Sequence, residues 1–169
     1  LDDDGGSRFS ILSFGSALEG DVPGEEGVLS FQVTRDRATS SEASVTVTLR
    51  PDPFAPSDSQ LGPDAEDIGE ITVVSQDGTR SVVGVGFDGS SRSFTLDFAA
   101  GETVKTIEVQ TTPDLFVEAD EWLSAVLSNP TATDPAAPAP TLSQAESFTS
   151  ILDDDGGSRF SILSFGSAL

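Results

Sequence analysis

The sequence predicts an all-β fold, an antiparallel β-sandwich, and three observations carry that expectation. Apolar and polar residues alternate with a period of two along most of the chain. The apolar positions are mainly Val, Ile, Leu and Phe. Gly, Pro, Asp and Ser interrupt the runs at short intervals. Around seven such segments, each with one polar face, call for two sheets packed face to face.

Taken in order, Phe9 and Ile11, with Phe14 beyond them, form a first strand. Leu29, Phe31 and Val33 then face inward before Arg35. Residues 43–50 alternate without a fault: Ala43, Val45, Val47 and Leu49 take one face, and Ser44, Thr46, Thr48 and Arg50 the other. Phe94, Leu96 and Phe98 precede Ala99-Ala100-Gly101, and Ile107 and Val109 lie inward in residues 105–112. Leu123, Ala125 and Leu127 form a late strand, and residues 147–152 the last. Its parity stays open, because Phe148 and Leu152 oppose Ile151.

Between residues 68 and 92 lies an extra element. Residues 70–75 and 81–87 flank Gln76-Asp77-Gly78-Thr79 and read as an inserted hairpin, with Asp77-Gly78 suited to a two-residue type I′ turn. Two Pro-rich stretches, residues 51–63 and 130–140, read as long connecting loops, because Pro lacks the N–H that a central strand must donate.

Residues 1–18, LDDDGGSRFSILSFGSAL, recur without change as residues 152–169. An identity of this length is no accident of composition. It sets a period of 151 residues and marks the chain as a piece of a tandem array of near-identical domains. Residues 1–4 then close a preceding repeat, residues 5–155 form one repeat domain, and residues 156–169 supply the first strand of the next.

Composition bounds the chemistry. The formal charge is −21, with 29 acidic residues against 8 basic ones. The basic residues Arg8, Arg35, Arg37, Arg50, Arg80, Arg92, Lys105 and Arg159 are scattered singly, which leaves no footprint for a phosphate backbone and excludes nucleic acid. Without Cys or His the chain builds no thiolate or imidazole metal site, no disulfide and no Ser-His or Cys-His nucleophile. No apolar run approaches the roughly 20 residues of a membrane helix, so direct membrane insertion is not expected. A carboxylate pair of the glycosidase type has no cleft-forming pattern beside it, and no enzyme is expected.

What remains is carboxylate, and it is unevenly placed. Acidic residues gather at residues 19–21, 64–67, 114–121 and 153–155, all at strand ends. Three consecutive Asp directly after an apolar strand repel one another unless a cation compensates. Hard oxygen ligands of this kind suit Ca²⁺, which takes six to eight oxygens. Neither an EF-hand loop nor a Gly-rich nonapeptide repeat is present, so a site must be assembled from separate loops.

The run from Phe98-Ala-Ala-Gly-Glu-Thr-Val-Lys-Thr-Ile-Glu-Val through Asp114-Leu-Phe-Val-Glu118-Ala-Asp-Glu121 to Leu127-Ser-Asn resembles the Calx-beta domain of sodium/calcium exchangers and many bacterial surface proteins. The closing Ile151-Leu152-Asp153-Asp154-Asp155, the opening Leu18-Glu19-Gly20 and the run from Phe31 to Arg35 fit the same pattern. The resemblance implies a seven-strand immunoglobulin-like sandwich with Ca²⁺ at one end. It places the ligands on Glu19, Asp67, Asp114, Glu118, Glu121, Asp153, Asp154 and Asp155. Pro113 stands where calcium-sensing members carry an extra Asp, which implies fewer or weaker sites than in those members.

Trp122 points away from the core parity of Leu123, Ala125 and Leu127, and is expected to pack on a loop or on the inserted hairpin. The functional expectation is a calcium-binding structural repeat, an extender in an extracellular or cell-surface adhesin-like protein, with neighbouring repeats as its partners. Two alternatives stand beside it. One is a filament subunit joined by strand exchange through residues 156–169; the other is an adhesion module that binds a sugar or protein ligand on another surface.

Overall fold

The computed structural model describes residues 6–52, 67–88 and 90–155. The segments assigned to neighbouring repeats, residues 1–4 and 156–169, and most of the first Pro-rich loop lie outside them. Eleven strands are present among the described residues: β1 (Arg8–Phe14), β2 (Ala17–Leu18), β3 (Val28–Arg35), β4 (Ala43–Pro51), β5 (Ile68–Ser75), β6 (Arg80–Val85), β7 (Arg92–Phe98), β8 (Val104–Thr111), β9 (Glu121–Ala132), β10 (Thr141–Gln144) and β11 (Glu146–Leu152).

They form two sheets, ordered β10-β1-β3-β8-β5-β6 and β2-β11-β9-β4-β7. The pairing is antiparallel except at two edges, where β1 runs parallel to β10 and β11 parallel to β2. Both exceptions arise because the first and last stretches of the chain each change sheets part-way. The predicted first and last strands are thus split, β1 from β2 and β10 from β11. This splitting, with the hairpin strands β5 and β6, takes the count beyond seven.

The core is the inward set that alternation predicts. Phe9, Ile11, Leu29, Phe31, Val33, Val45, Val47, Leu49, Ile107, Val109, Leu123 and Ala125 are all fully buried. Phe9 and Phe98 meet across the sheets with ring centroids 5.1 Å apart, a tilted aromatic pair. Phe94 is only half-buried and packs on the edge of this core, and Phe14 ends β1 with its side chain exposed. Ile151 and Thr149 are buried and Phe148 is exposed, which settles the parity of the last strand.

Three expectations change. The hairpin is no appendage: β5 pairs along β8, and Ile68, Ile71 and Val73 belong to the core, so of its two strands β6 alone lies at a sheet edge. Its turn is a three-residue loop rather than type I′. Gly78 N–H donates to Ser75 O and Ser75 N–H to Thr79 O, while Gly78 alone takes a positive φ of 87°. The stretch from Pro130 is not all loop either, since β9 runs through it to Ala132. Pro130 follows Asn129, whose φ is 47°, at the point where the β4–β9 register shifts, so the Pro sits at a bulge.

Among the described residues Trp122 packs on Phe148 of the neighbouring strand, centroids 5.7 Å apart, where a loop or the hairpin was expected. Facing strands thereby define two ends. The chain enters beside Ser7, Arg35 and Thr141 and leaves, at Asp153, beside Glu19 and Glu118.

Candidate metal centre

The exit end is built by strand pairing. β2 lies parallel to β11, with Ala17 opposite Ile151 and Leu18 opposite Leu152. Glu19 N–H continues the ladder to Leu152 O at 3.1 Å, which holds Glu19 alongside the Asp triplet. Thr111, at the end of β8, donates its hydroxyl to Glu19 O at 2.8 Å. Thr112 N–H donates to Asp67 O at 3.0 Å, which fixes Asp67 at the start of β5. The loop from residue 112 to 120 then folds over the end of the sandwich, and Glu118 N–H donates to Asp153 Oδ1 at 3.2 Å.

These contacts bring the carboxylates of Glu19, Asp67 and Glu118 together, with one oxygen from each within 4.8 Å of the others. Glu19 and Asp67 are buried, 4% and 8% exposed. Burial pushes the Glu19 carboxyl up to about 7, and the charges of Asp114, Glu118, Asp67 and Asp155 add to the effect. Glu19 Oε1 and Asp155 Oδ2 are buried without a hydrogen-bond partner. Asp155 is likewise pushed up, by desolvation first and then by Asp21, Asp153, Asp154 and Asp114.

Of the other sequence-predicted residues, Asp114 accepts a hydrogen bond from Phe116 N–H at 2.6 Å, and Asp154 accepts one from Gly20 N–H at 3.0 Å. Glu121 is buried at the first position of β9, opposite Ile151. Asp52 was missed by the sequence reading. It is 7% exposed, and its N–H donates to Trp122 O at 2.8 Å, which places it next to Glu121. Its position directly after the β-alternating run was the available signal, masked by the Pro residues around it.

The donor set is oxygen alone, as the absence of His and Cys requires, and it therefore suits a hard cation. Two oxygens bound to one Ca²⁺ lie at most about 5 Å apart, twice the metal–oxygen distance, and the observed spread fits within that limit. The orphaned Glu19 oxygen is the sharpest part of this fit. A buried carboxylate oxygen with no donor is costly unless a proton or a cation faces it.

At the entry end, a groove of about 580 Å³ lies between the β5–β6 turn and the β7–β8 turn. Its cation is already engaged, since Lys105 Nζ lies 2.9 Å from Glu102 and donates to Ser75 at 2.7 Å.

The family model of the Calx-beta domain matches residues 60–155, more than half of the chain. Among solved structures, a Calx CBD2 domain superposes with a TM-score of 0.54 at 11% identity, covering 92% of this chain and 93% of that one. The CBD12 structure from CALX1.2 gives 0.53 at 19% identity, covering 88% and 46%. The calcium binding domain CBD12 of CALX1.1 gives 0.51 at 18%, covering 86% and 44%, so this chain spans under half the length of those last two. At these identities the likeness establishes the sandwich fold. No curated protein matches the sequence.

Proposed function

The chain belongs to the Calx-beta domain family, whose domains bind Ca²⁺, and on that premise we propose that it is a calcium-binding spacer repeat of a tandem-array surface protein. Glu19, Asp67 and Glu118 would hold the ion, with Asp114, Glu121, Asp153, Asp154 and Asp155 around them. The observation that carries this reading is the buried, unpartnered Glu19 oxygen within 4.8 Å of two further carboxylates. A bound cation would neutralise the carboxylates gathered at this end.

The place of the site supports a structural role. It lies where the chain leaves the domain, and residues 152–169 repeat residues 1–18, so the next repeat follows directly. Residues 1–4, 5–155 and 156–169 are accordingly the close of one repeat, one repeat domain and the start of the next. A spacer needs length and stiffness rather than a distinct ligand pocket on each copy, and near-identical repeats serve that need. The extracellular setting is part of this proposal and is supported by the family and by the acidic composition, which suits an exposed, solvated surface. With a site affinity of ~10⁻⁴ to 10⁻³ M, millimolar Ca²⁺ would stabilise each domain by roughly 0.5 to 1.5 kcal/mol per site.

The test is calcium titration calorimetry on residues 1–169 and on Glu19→Gln and Asp67→Asn. Heat of binding that both substitutions abolish supports the site; the absence of any binding heat in the parent chain removes it.

A second reading is favoured by one observation, the identity of residues 156–169 with residues 5–18. β1 enters at the opposite end from Asp155, and a seven-residue strand is about 23 Å long. The four Cα steps from Asp155 to Arg159 span about 15 Å at most, less than the length of the strand, so the second copy would fit the β1 slot of another molecule rather than its own. Strand exchange would therefore give open, head-to-tail polymers. Polymers formed by residues 1–169 but not by residues 1–155 would support this, and monomers of both would end it.

A further inference from the structure

The loop that closes the metal centre carries Leu115, Phe116 and Val117 at its tip, and they are 70%, 72% and 68% exposed. The base of this loop is fixed by the hydrogen bonds of Asp114 and Glu118, so the three apolar side chains are held outward rather than folded onto the core. A continuous apolar tip of this kind on an otherwise acidic end marks a contact surface.

The entry end presents a match. The loop between β9 and β10 reads Pro135-Ala136-Ala137-Pro138-Ala139, and all but the half-buried Ala137 are exposed. It is bound tightly to the incoming chain. Thr141 N–H donates to Ser7 O at 2.9 Å, and a Cβ on Gly6 would lie 2.0 Å from Ala139 O. The exposed Arg8 stands at the same end, a positive charge suited to the acidic exit end.

The sequence repeat joins the two ends. Residue 157 stands where Gly6 stands, now in the following repeat, and lies two Cα steps from Asp155. Two steps span at most about 7.6 Å. If residue 157 makes the contact that Gly6 makes, the Ala/Pro loop of the following repeat comes close to Asp155, and the loop that carries Leu115, Phe116 and Val117 is itself tied to Asp153 through Glu118 N–H.

We propose that Leu115, Phe116 and Val117 of one repeat pack on the Ala/Pro loop, residues 135–139, of the next, forming an apolar joint beside the metal centre. This rests on the tandem-array reading above. The acidic cluster sets where the loop stands, and the apolar tip provides the contact.

The experiment uses a two-repeat protein made by joining residues 1–151 to residues 1–169, which reads through the junction with no foreign residue. The chain has no Cys. Thr95→Cys, exposed on the outer face of β7, therefore gives one specific spin-label site per repeat. Pulsed electron paramagnetic resonance in Ca²⁺ gives the inter-repeat distance distribution. A variant with a long Gly/Ser segment inserted after Asp155 provides the uncoupled reference.

The parent is expected to be narrower than this reference. Serine at all three tip positions of the first repeat, or Ala136→Asp in the second, should broaden it to the reference width at unchanged melting temperature. A tip variant as narrow as the parent, or a parent as broad as the reference, overturns the joint. Chelator separates the two readings: a parent that stays narrow without Ca²⁺ while the tip variants broaden retains the joint and removes the calcium clamp.

Discussion

Gly20 N–H donates to Asp154 Oδ1 across 3.0 Å and ties the segment after β2 to the acidic triplet after β11, residues 134 positions apart in sequence. The same carboxylate belongs to the repulsive cluster that raises Asp155. One Asp therefore both fastens the exit end and adds to its charge.

Asp154→Ala should cost the calcium-loaded domain about 1.5 to 3 kcal/mol, the worth of a hydrogen bond to a charged acceptor. Chemical denaturation in saturating Ca²⁺ measures it. A change indistinguishable from zero would mean that the Gly20 segment is held by the Glu19–Leu152 ladder bond alone.

Glu19→Gln should act with opposite signs in the two metal states. Without Ca²⁺ it removes a buried charge surrounded by like charges and leaves the melting temperature unchanged or higher. With Ca²⁺ it removes a ligand, and the calcium-dependent rise in melting temperature disappears. Paired thermal melts with chelator and with Ca²⁺ test both halves. A loss of stability in chelator would show that the carboxylate is already compensated within the protein.

The pH dependence follows from the same group. The Glu19 carboxyl is raised from 4.5 to about 7, so the folded state holds a proton that the unfolded state releases between those values. The metal-free domain should therefore lose stability as pH rises through this window, by roughly 3 kcal/mol at most for this group. Saturating Ca²⁺ should flatten or reverse the slope. Glu102 works in the other direction: burial alone would raise it, but its hydrogen bonds from Lys105, Ala99 and Gln76 outweigh burial and lower it. Its contribution is present above its ordinary range and is lost on acidification below it, so these two groups put the metal-free optimum near the ordinary carboxylate range, well below neutrality. Melting temperatures across pH in chelator give the curve, and a monotonic rise to pH 8 would contradict it.

Gly6→Ala should detach the entry end. Its Cβ would stand 2.0 Å from Ala139 O, a contact with backbone that no rotamer relieves. The cost should be about 1 to 3 kcal/mol, typical of overpacking. Hydrogen exchange should show faster opening of the β1–β10 pairing while β4 and β9 keep their protection. Uniform destabilisation of both sheets would argue against a local effect.

Much of the sandwich was legible because one rule fixes it. In a half-buried strand the side-chain period is two, and residues 43–50 and the set Leu29, Phe31, Val33 obey it without exception. The rule weakens where segments are short or polar. β2 has two residues and β10 four, too few to show any period. β5 read as part of an insertion because Gln76-Asp77-Gly78-Thr79 joins it to β6 as a hairpin; its second pairing, along β8, is a long-range contact that the local pattern does not show.

The chemistry was legible in kind. A chain with no His, no Cys and acidic clusters at strand ends offers hard oxygen donors and little else, and sequence alone determines that. It also determines the exact recurrence of residues 1–18 as residues 152–169, on which the proposed tandem array rests. Which carboxylates meet was decided by tertiary structure. Glu19, Asp67 and Glu118 lie in three separate loops, and only the pairing of β2 with β11 and of β5 with β8 brings them within 4.8 Å. Whether a carboxylate oxygen finds a donor depends on every chain segment around it. No local pattern could mark Glu19 as the buried, unsatisfied member of the set.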